Sequence, residues 1–310
     1  MPTPCDAIRV FVGHEHREFT VSKTQLCAAS PYFYEKLRHA DRDSAMYLPR
    51  DTPAMFELFA AWVRDPPSFR DYLDATIMTA CAAPRSPRCT PTEDGAPKPK
   101  TPSQRLHWAL VRLHLFASTI GAHSLQDASM DALQDLYLRR DWDVTPRFIS
   151  FLYAQCTPAA SLRLRRWAVA MVTFSLSSPS APGGCSGGGS APSCVPRQFQ
   201  RLLREHSDFS AEYASHLRKM TASGLDIRVK NPQLRIPANR LRNEERRFAF
   251  RQCAFHTHRA SVGEGRCPHE EGARAVKGMS VLVPLVIEED KGRLVSMEAP
   301  KPLKLRAIQV

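Results

Sequence analysis

The sequence predicts an α+β protein in which a short sheet with helices is followed by a helical stretch and then by a basic one. Near the N-terminus, apolar residues alternate with the two-residue period of a strand. From there to about residue 220, they recur at helical spacing. From Arg197 to the C-terminus, 22 lysines and arginines stand against 13 acidic residues. At 310 residues the chain is long enough for two compact units.

The first predicted element is a hairpin. Residues 8–12 alternate between apolar and polar side chains, as in a strand with one buried face. Residues 13–18 start with a glycine and are otherwise mostly polar, which favours a turn. Phe19 and Val21 begin the second strand.

Two helices and a third strand are predicted to follow. Ser22 is a favourable N-cap, and Pro31 is compatible with a helix only if the helix is broken there into two pieces. Residues 46–48 form another short extended piece. Thr52 and Pro53 then resemble a cap and the first position of a helix. Its predicted apolar residues are Met55, Phe56, Phe59 and Trp62.

A proline-rich insertion is predicted at about residues 66–103. The prolines at 66 and 67 end the preceding helix, and residues 82–103 carry too few apolar side chains to build a core. The apolar patch at residues 69–78 is predicted to be a helix laid against the domain. A surface insertion costs little closure entropy, and a linker between domains is the alternative.

A pair of helices is predicted over residues 104–120 and 125–137, with Gly121 as the stop between them. Both segments have apolar residues at three- and four-residue spacing. His107, His114 and His123 do not have the spacing of one local metal site, so we expect histidines on the helix surface.

Several separated segments follow one another in a recognisable order. They are Phe19-Thr-Val-Ser-Lys, Leu26-Cys-Ala-Ala-Ser-Pro-Tyr-Phe33, Leu48-Pro49, Phe56 and Trp62, and Val111-Arg-Leu-His-Leu-Phe-Ala117 with Ile120-Gly121, Leu125-Gln-Asp127 and Met130-Asp-Ala-Leu133. Together they resemble the BTB/POZ domain in its fungal form. The resemblance covers roughly the first half of the chain, which gives a predicted domain over residues 1–140.

The resemblance implies a protein-interaction module without catalytic machinery. Such domains pair with themselves, with a cullin scaffold or with other partners. Members that dimerise through an extra N-terminal helix need more residues than the seven found here before the first strand. The acidic residue typical of cullin adaptors is missing after Leu37. A second copy of the chain and a cullin scaffold are both kept as candidate partners. The aromatic residues of the domain, Phe33, Tyr34, Phe56 and Trp62, are expected to lie mainly in the core.

A helical extension is predicted over residues 141–220. Thr145 and Pro146 favour a helix start, and further helical patterns follow at residues 162–172 and 199–217. A loop rich in glycine and serine separates them at about residues 177–193. It is not a phosphate-binding loop, because no Lys-Ser or Lys-Thr pair follows its glycines. Fungal BTB proteins have a similar helical tail.

The last region, residues 221–310, is predicted to be basic and poorly ordered. It contains a segment at 253–269 with thiol and imidazole side chains, the donor types that zinc prefers. The candidate ligands are Cys253, His256, His258, Cys267 and His269. Four of them would suffice for a structural zinc, and ordinary reduced thiols are the alternative. No other cofactor is expected.

The same region supports an alternative function. The net charge is +12 with a pI near 9.5, and several arginines cluster where they would neutralise phosphates. The nucleic-acid contacts in this alternative are Arg240, Arg242, Arg246, Arg247 and Arg251. A solvated basic surface is the other interpretation.

The predicted function is therefore that of a non-enzymatic adaptor or scaffold that binds another protein through a BTB/POZ domain. Recruitment of a partner to a cullin ubiquitin ligase is one form of this role. The alternative is a regulator associated with chromatin or nucleic acid. No serine, histidine or aspartate lies on a predicted strand-to-helix elbow of the G-x-S-x-G kind that hydrolases use. No apolar run reaches a membrane span, and no secretory leader is recognisable, so we expect an intracellular protein of the cytoplasm or nucleus that is not secreted.

Overall fold

The computed structural model describes residues 6–39, 45–82, 101–177, 196–222 and 255–257, all of which belong to one compact unit. As predicted, the fold is α+β. The described ranges contain a three-stranded sheet and ten helices. Within these ranges, no helix combines the length and the apolar character that a bilayer span requires.

The sheet has the order β2-β1-β3. Strand β1 (Ala7–Val12) pairs antiparallel with β2 (Arg17–Ser22) and parallel with β3 (Ala45–Leu48). The alternation in β1 buries Ile8, Val10 and Val12 against the helices, as predicted.

A tight turn closes the hairpin between β1 and β2. Gly13 has φ +76°, a conformation that glycine adopts without strain. Its N–H donates to the Leu48 carbonyl over 3.0 Å, which ties the turn to the end of β3.

Three helices build the inner side of the sheet domain: α1 (Lys23–Ala29), α2 (Pro31–Leu37) and α3 (Pro53–Arg64). The predicted cap is confirmed, since the Ser22 side chain accepts from the Gln25 N–H over 3.1 Å. The predicted break is also confirmed, because Ser30 caps α2 immediately before Pro31.

The helix predicted at residues 69–78 is confirmed as α4 (Phe69–Ala82), which lies inside the predicted proline-rich insertion. Its residues Phe69, Leu73, Ile77 and Ala80 are buried. They follow one another at three or four positions and form the apolar stripe of a core helix. Only residues 83–100 of the predicted insertion lie outside the described ranges.

The predicted helix pair consists of α5 (Pro102–Thr119) and α6 (His123–Arg140). Gly121 lies between them with φ +70° and acts as the predicted stop. Arg140 connects this pair to α4. Its guanidinium donates to Ser103 Oγ at the start of α5 over 2.8 Å and to the Ala80 carbonyl over 3.0 Å.

The core joins the sheet domain to this helix pair. Phe116 of α5 lies with its ring centroid 5.1 Å from Phe59 of α3 and 6.3 Å from Phe33 of α2. Phe33 and Phe59 stack on each other at 5.5 Å. The three rings form one cluster contributed by three helices.

The helical extension contains α7 (Pro146–Ala154), α8 (Pro158–Ser177), α9 (Arg197–Glu205) and α10 (Ser207–Ala222). It packs directly on the helix pair. The ring of Phe148 lies 5.3 Å from His107, and Trp167 lies 4.8 Å from Tyr137 in an edge-to-face contact. The predicted boundary at residue 140 therefore separates helices that share one core.

A buried arginine holds the start of the extension. Arg165 is 3% exposed, and its guanidinium donates to the carbonyls of Leu152 and Cys156 at the end of α7, over 3.1 and 3.2 Å. The guanidinium also lies 4.3 Å from the ring centroid of Tyr153. The positive charge thus caps the negative end of α7.

Candidate functional site

The first candidate surface is the outer face of the sheet, which we call the aromatic sheet face and define by Phe11, His16 and Tyr47. Phe11 and Tyr47 are direct partners in the parallel pairing of β1 and β3. Their rings stack with centroids 5.2 Å apart, and the His16 ring lies edge-on to Tyr47 at 6.2 Å. Tyr47 is 60% exposed, so the aromatic pair faces solvent.

Polar residues surround this aromatic pair. Glu18 pairs with Phe11, Thr20 pairs with Arg9, and all three polar residues are exposed. Within the described ranges, β3 pairs with β1 alone, so its other edge presents backbone groups that can pair with a further strand. An aromatic centre with a polar rim is the usual composition of a protein-binding patch.

A second surface binds a segment that is distant in sequence. We call it the α6–α8 docking surface and define it by Asp127 and Asp131 of α6 and Arg163 of α8. It contacts the described tripeptide of residues 255–257. The Phe255 side chain is 1% exposed and belongs to the common apolar core, while His256 is 2% exposed.

Four polar contacts hold the segment on this surface. Nε2 of His256 lies 2.8 Å from Asp131 Oδ1. The Thr257 N–H and hydroxyl donate to the two oxygens of Asp127 over 2.7 and 3.1 Å. Arg163 donates to the Thr257 carbonyl over 3.2 Å. The surface therefore contacts both the side chains and the backbone of the segment.

A buried polar network joins α5 to α6 next to this surface. His114 Nδ1 lies 3.1 Å from the Gln126 carbonyl, and its Nε2 lies 3.2 Å from the Gln126 side-chain nitrogen. Burial lowers the pKa of His114 to about 3, so the ring is neutral at pH 7. His114 therefore acts as a fixed hydrogen-bonding group.

The prediction of surface histidines is wrong for two of the three residues. His107 is also buried, and its Nε2 lies 3.1 Å from the Tyr137 hydroxyl. Burial lowers the pKa of His107 to about 4. His123 alone is exposed. Spacing could have indicated this, because His107 and His114 lie three and four positions from the buried Leu110.

The aromatic core prediction is confirmed for three of its four residues. Phe33, Phe56 and Trp62 are buried. The prediction is wrong for Tyr34, which is 53% exposed. Phe33 and Leu37 set the buried face of α2, and Tyr34 follows Phe33 by one position, so it points about 100° away from Phe33.

Most of the predicted zinc and nucleic-acid residues lie outside the described ranges. Of the five metal candidates, the structure describes only His256, whose Nε2 contacts Asp131. Cys253, His258, Cys267 and His269 lie outside. So do the five arginines of the nucleic-acid alternative, Arg240, Arg242, Arg246, Arg247 and Arg251. Among the residues described, no group of three or more potential ligands is placed to hold a metal ion.

Sequence reasoning missed both candidate surfaces. Phe11 and Tyr47 occupy the strand positions that alternate with the buried apolar ones and that are otherwise polar. An aromatic residue at such a position is a usable signal for a contact surface. The docking of residues 255–257 has no local signal, because its contacts join positions 94 to 130 residues apart.

The comparisons with family models, curated proteins and solved structures found no match to this chain.

Proposed function

We propose that this chain is a non-enzymatic adaptor or scaffold that binds another protein through an N-terminal domain of the BTB/POZ type. One observation carries the proposal. The element order implied by the resemblance is a hairpin, two helices, a third strand, a helix and a closing helix pair. The described elements from β1 to α6 follow that order around one core, with α4 as an additional helix.

The aromatic sheet face is the proposed contact surface. A stacked Phe–Tyr pair supplies a large apolar contact area at a low cost in side-chain entropy, and its polar rim supplies hydrogen bonds. A partner that also added a strand to the open edge of β3 would gain backbone hydrogen bonds. This combination favours a protein partner over a small molecule, which would need a concave pocket.

The chemistry of the described cysteines agrees with a binding role. Cys27, Cys81 and Cys156 are free of disulfides. Burial raises the pKa of the Cys81 and Cys156 thiols, which keeps both in the protonated form near neutral pH. A catalytic cysteine requires the opposite shift. We extend the proposal to an intracellular role in which a cullin scaffold is one candidate partner.

Affinity purification of the intact chain with mass spectrometry tests this function. We expect Phe11→Thr/Tyr47→Thr to lose specific partners, because threonine preserves strand propensity and removes the aromatic contact. Tyr72→Ala is the matched control, since Tyr72 of α4 is also an exposed tyrosine at 43%. Deleting residues 1–140 is a poorer test, because α7 and α8 would lose the helices on which they pack.

An unchanged set of partners for the double variant, with unchanged thermal stability, would contradict the proposed contact surface. A shift from dimer to monomer in light scattering would instead identify a second copy of this chain as the partner.

The basic charge of the chain favours a second candidate function, the binding of nucleic acid. The formal net charge is +12, and a basic surface that neutralises several phosphates binds in a salt-sensitive way. Retention on heparin that is lost at modest salt supports this candidate. Retention that is unchanged after replacing the five arginines named above with glutamine would reject it.

A further inference from the structure

The contact between residues 255–257 and the helical part of the chain has the properties of a sequence-specific peptide complex. Three consecutive residues are bound in three different ways. The Phe255 ring is buried in the apolar core, the His256 imidazole contacts Asp131, and the Thr257 backbone contacts both Asp127 and Arg163. A surface that contacts successive side chains and the backbone together selects a short motif.

We propose that the α6–α8 docking surface is a binding site for short segments with the pattern aromatic-His-Thr, and that residues 255–257 of this same chain occupy it. The segment is then an intramolecular ligand. A partner with such a motif must displace it before binding at this surface.

The charges of the two sides agree with this assignment. The docking surface presents the carboxylates of Asp127 and Asp131, and these accept from the imidazole and from the Thr257 N–H and hydroxyl. The sequence around the segment is basic, with Arg251 and Arg259 on its two sides and no acidic residue between positions 246 and 263. A segment with neutral or acidic residues on both sides of the motif would lose this charge complementarity.

The role of Arg163 explains why the backbone of the segment is bound in one direction. Its Nη2 donates to the Thr257 carbonyl while Asp127 accepts from the N–H of the same residue. The donor and the acceptor lie on different helices, so a reversed peptide would present a carbonyl to the carboxylate and an N–H to the guanidinium. The arrangement therefore excludes the reversed orientation.

The test uses the full chain and a fluorescein-labelled peptide with the sequence of residues 249–261, which carries Cys253→Ser to prevent oxidation. In the wild-type chain the intramolecular segment competes at an effective concentration of the order of millimolar. We therefore expect the chain with Phe255→Ala/His256→Ala/Thr257→Ala to bind the peptide at least about tenfold more tightly than the wild-type chain does.

Two further substitutions identify the surface. On the background of that triple variant, Asp127→Asn/Asp131→Asn is expected to weaken peptide binding by about tenfold or more, because it removes charge-assisted hydrogen bonds. Asp71→Asn removes an exposed carboxylate from α4 and is expected to leave binding unchanged. Equal binding of a scrambled peptide, or binding insensitive to Asp127 and Asp131, would overturn the proposal.

A second measurement does not depend on the triple variant being folded. Hydrogen exchange of the wild-type chain is expected to show protection of the Thr257 amide, and Asp127→Asn is expected to reduce that protection by about tenfold. Exchange of this amide at the rate of an unstructured peptide in the wild-type chain would overturn the proposal. Neither readout involves the aromatic sheet face, so this inference and the proposed function can fail independently.

Discussion

Replacing Phe116 by alanine tests whether the sheet domain and the helix pair form one core. Phe116 is only 8% exposed, and its ring contacts Phe33 of α2 and Phe59 of α3. Burial of a phenylalanine contributes about 1.5–3 kcal/mol, and the cavity left by its removal raises the cost to about 3–5 kcal/mol. Loss of the two ring contacts is included in that range.

The assay is urea unfolding followed by far-UV circular dichroism. We expect Phe116→Ala to lower the free energy of unfolding by about 3–5 kcal/mol within a single transition, and Phe116→Leu to recover about half of the loss. Tyr72→Ala, on an exposed position of α4, is expected to cost no more than about 0.5 kcal/mol.

A loss below about 1 kcal/mol for Phe116→Ala would refute the reasoning, because it would mean that α5 does not support the ring cluster. Two separate transitions, with only one of them shifted by the substitution, would show that the sheet domain and the helices unfold independently.

Three further predictions follow from the buried polar groups and the turns. Because burial lowers the pKa values of His107 and His114 below the ordinary 6.5, both imidazoles are neutral in the folded chain. Stability is therefore lost as the pH falls from 6.5 towards 4, by up to about 1.4 kcal/mol per pH unit for each of these two residues. In urea unfolding at several pH values, His114→Gln is expected to reduce this slope by up to about 1.4 kcal/mol per pH unit, and His123→Gln is expected to leave it unchanged. Arg165→Met is expected to cost about 3 kcal/mol or more in the same assay, because the carbonyls at the end of α7 lose their donor; a loss below 1 kcal/mol would contradict this. Gly13→Ala is expected to lower the melting temperature more than Gly121→Ala. Both glycines have a positive φ, but only at Gly13 would a new Cβ lie as close as 3.3 Å to a neighbour, Pro53. A larger loss of melting temperature for Gly121→Ala would contradict the turn geometry.

Local chemistry made the element boundaries predictable. Ser22 as an N-cap, Pro31 as a break, Thr145 before a proline and Gly121 as a stop all act through groups within a few residues. Such signals are readable in a single sequence. The three strands were predictable for the same reason, from alternation and from the turn that follows β1.

Composition and helical spacing gave conflicting signals at two places. Proline and charge dominate residues 66–103, yet the apolar patch at residues 69–78 correctly predicted helix α4. Polarity placed His107 and His114 on the helix surface, although their spacing matches the buried stripe of α5. Helical spacing was the better guide at both places, because burial selects one face of a helix and the polar groups on that face are then satisfied by hydrogen bonds.

Long-range contacts were not predictable. The docking of residues 255–257 depends on Asp127, Asp131 and Arg163, none of which has a distinctive local pattern. The aromatic pair on the sheet depends on the register that aligns β3 with β1. Both surfaces require knowledge of which distant segments meet.

Site-specific photocrosslinking from the aromatic sheet face tests the proposed adaptor function most directly. A photoreactive phenylalanine analogue is placed at Tyr47 in one version of the intact chain and at Tyr72, also exposed, in the other. The account predicts that position 47 forms crosslinks in cells to a defined protein partner and that position 72 does not. Equal crosslinking from both positions, or none from position 47, would contradict it.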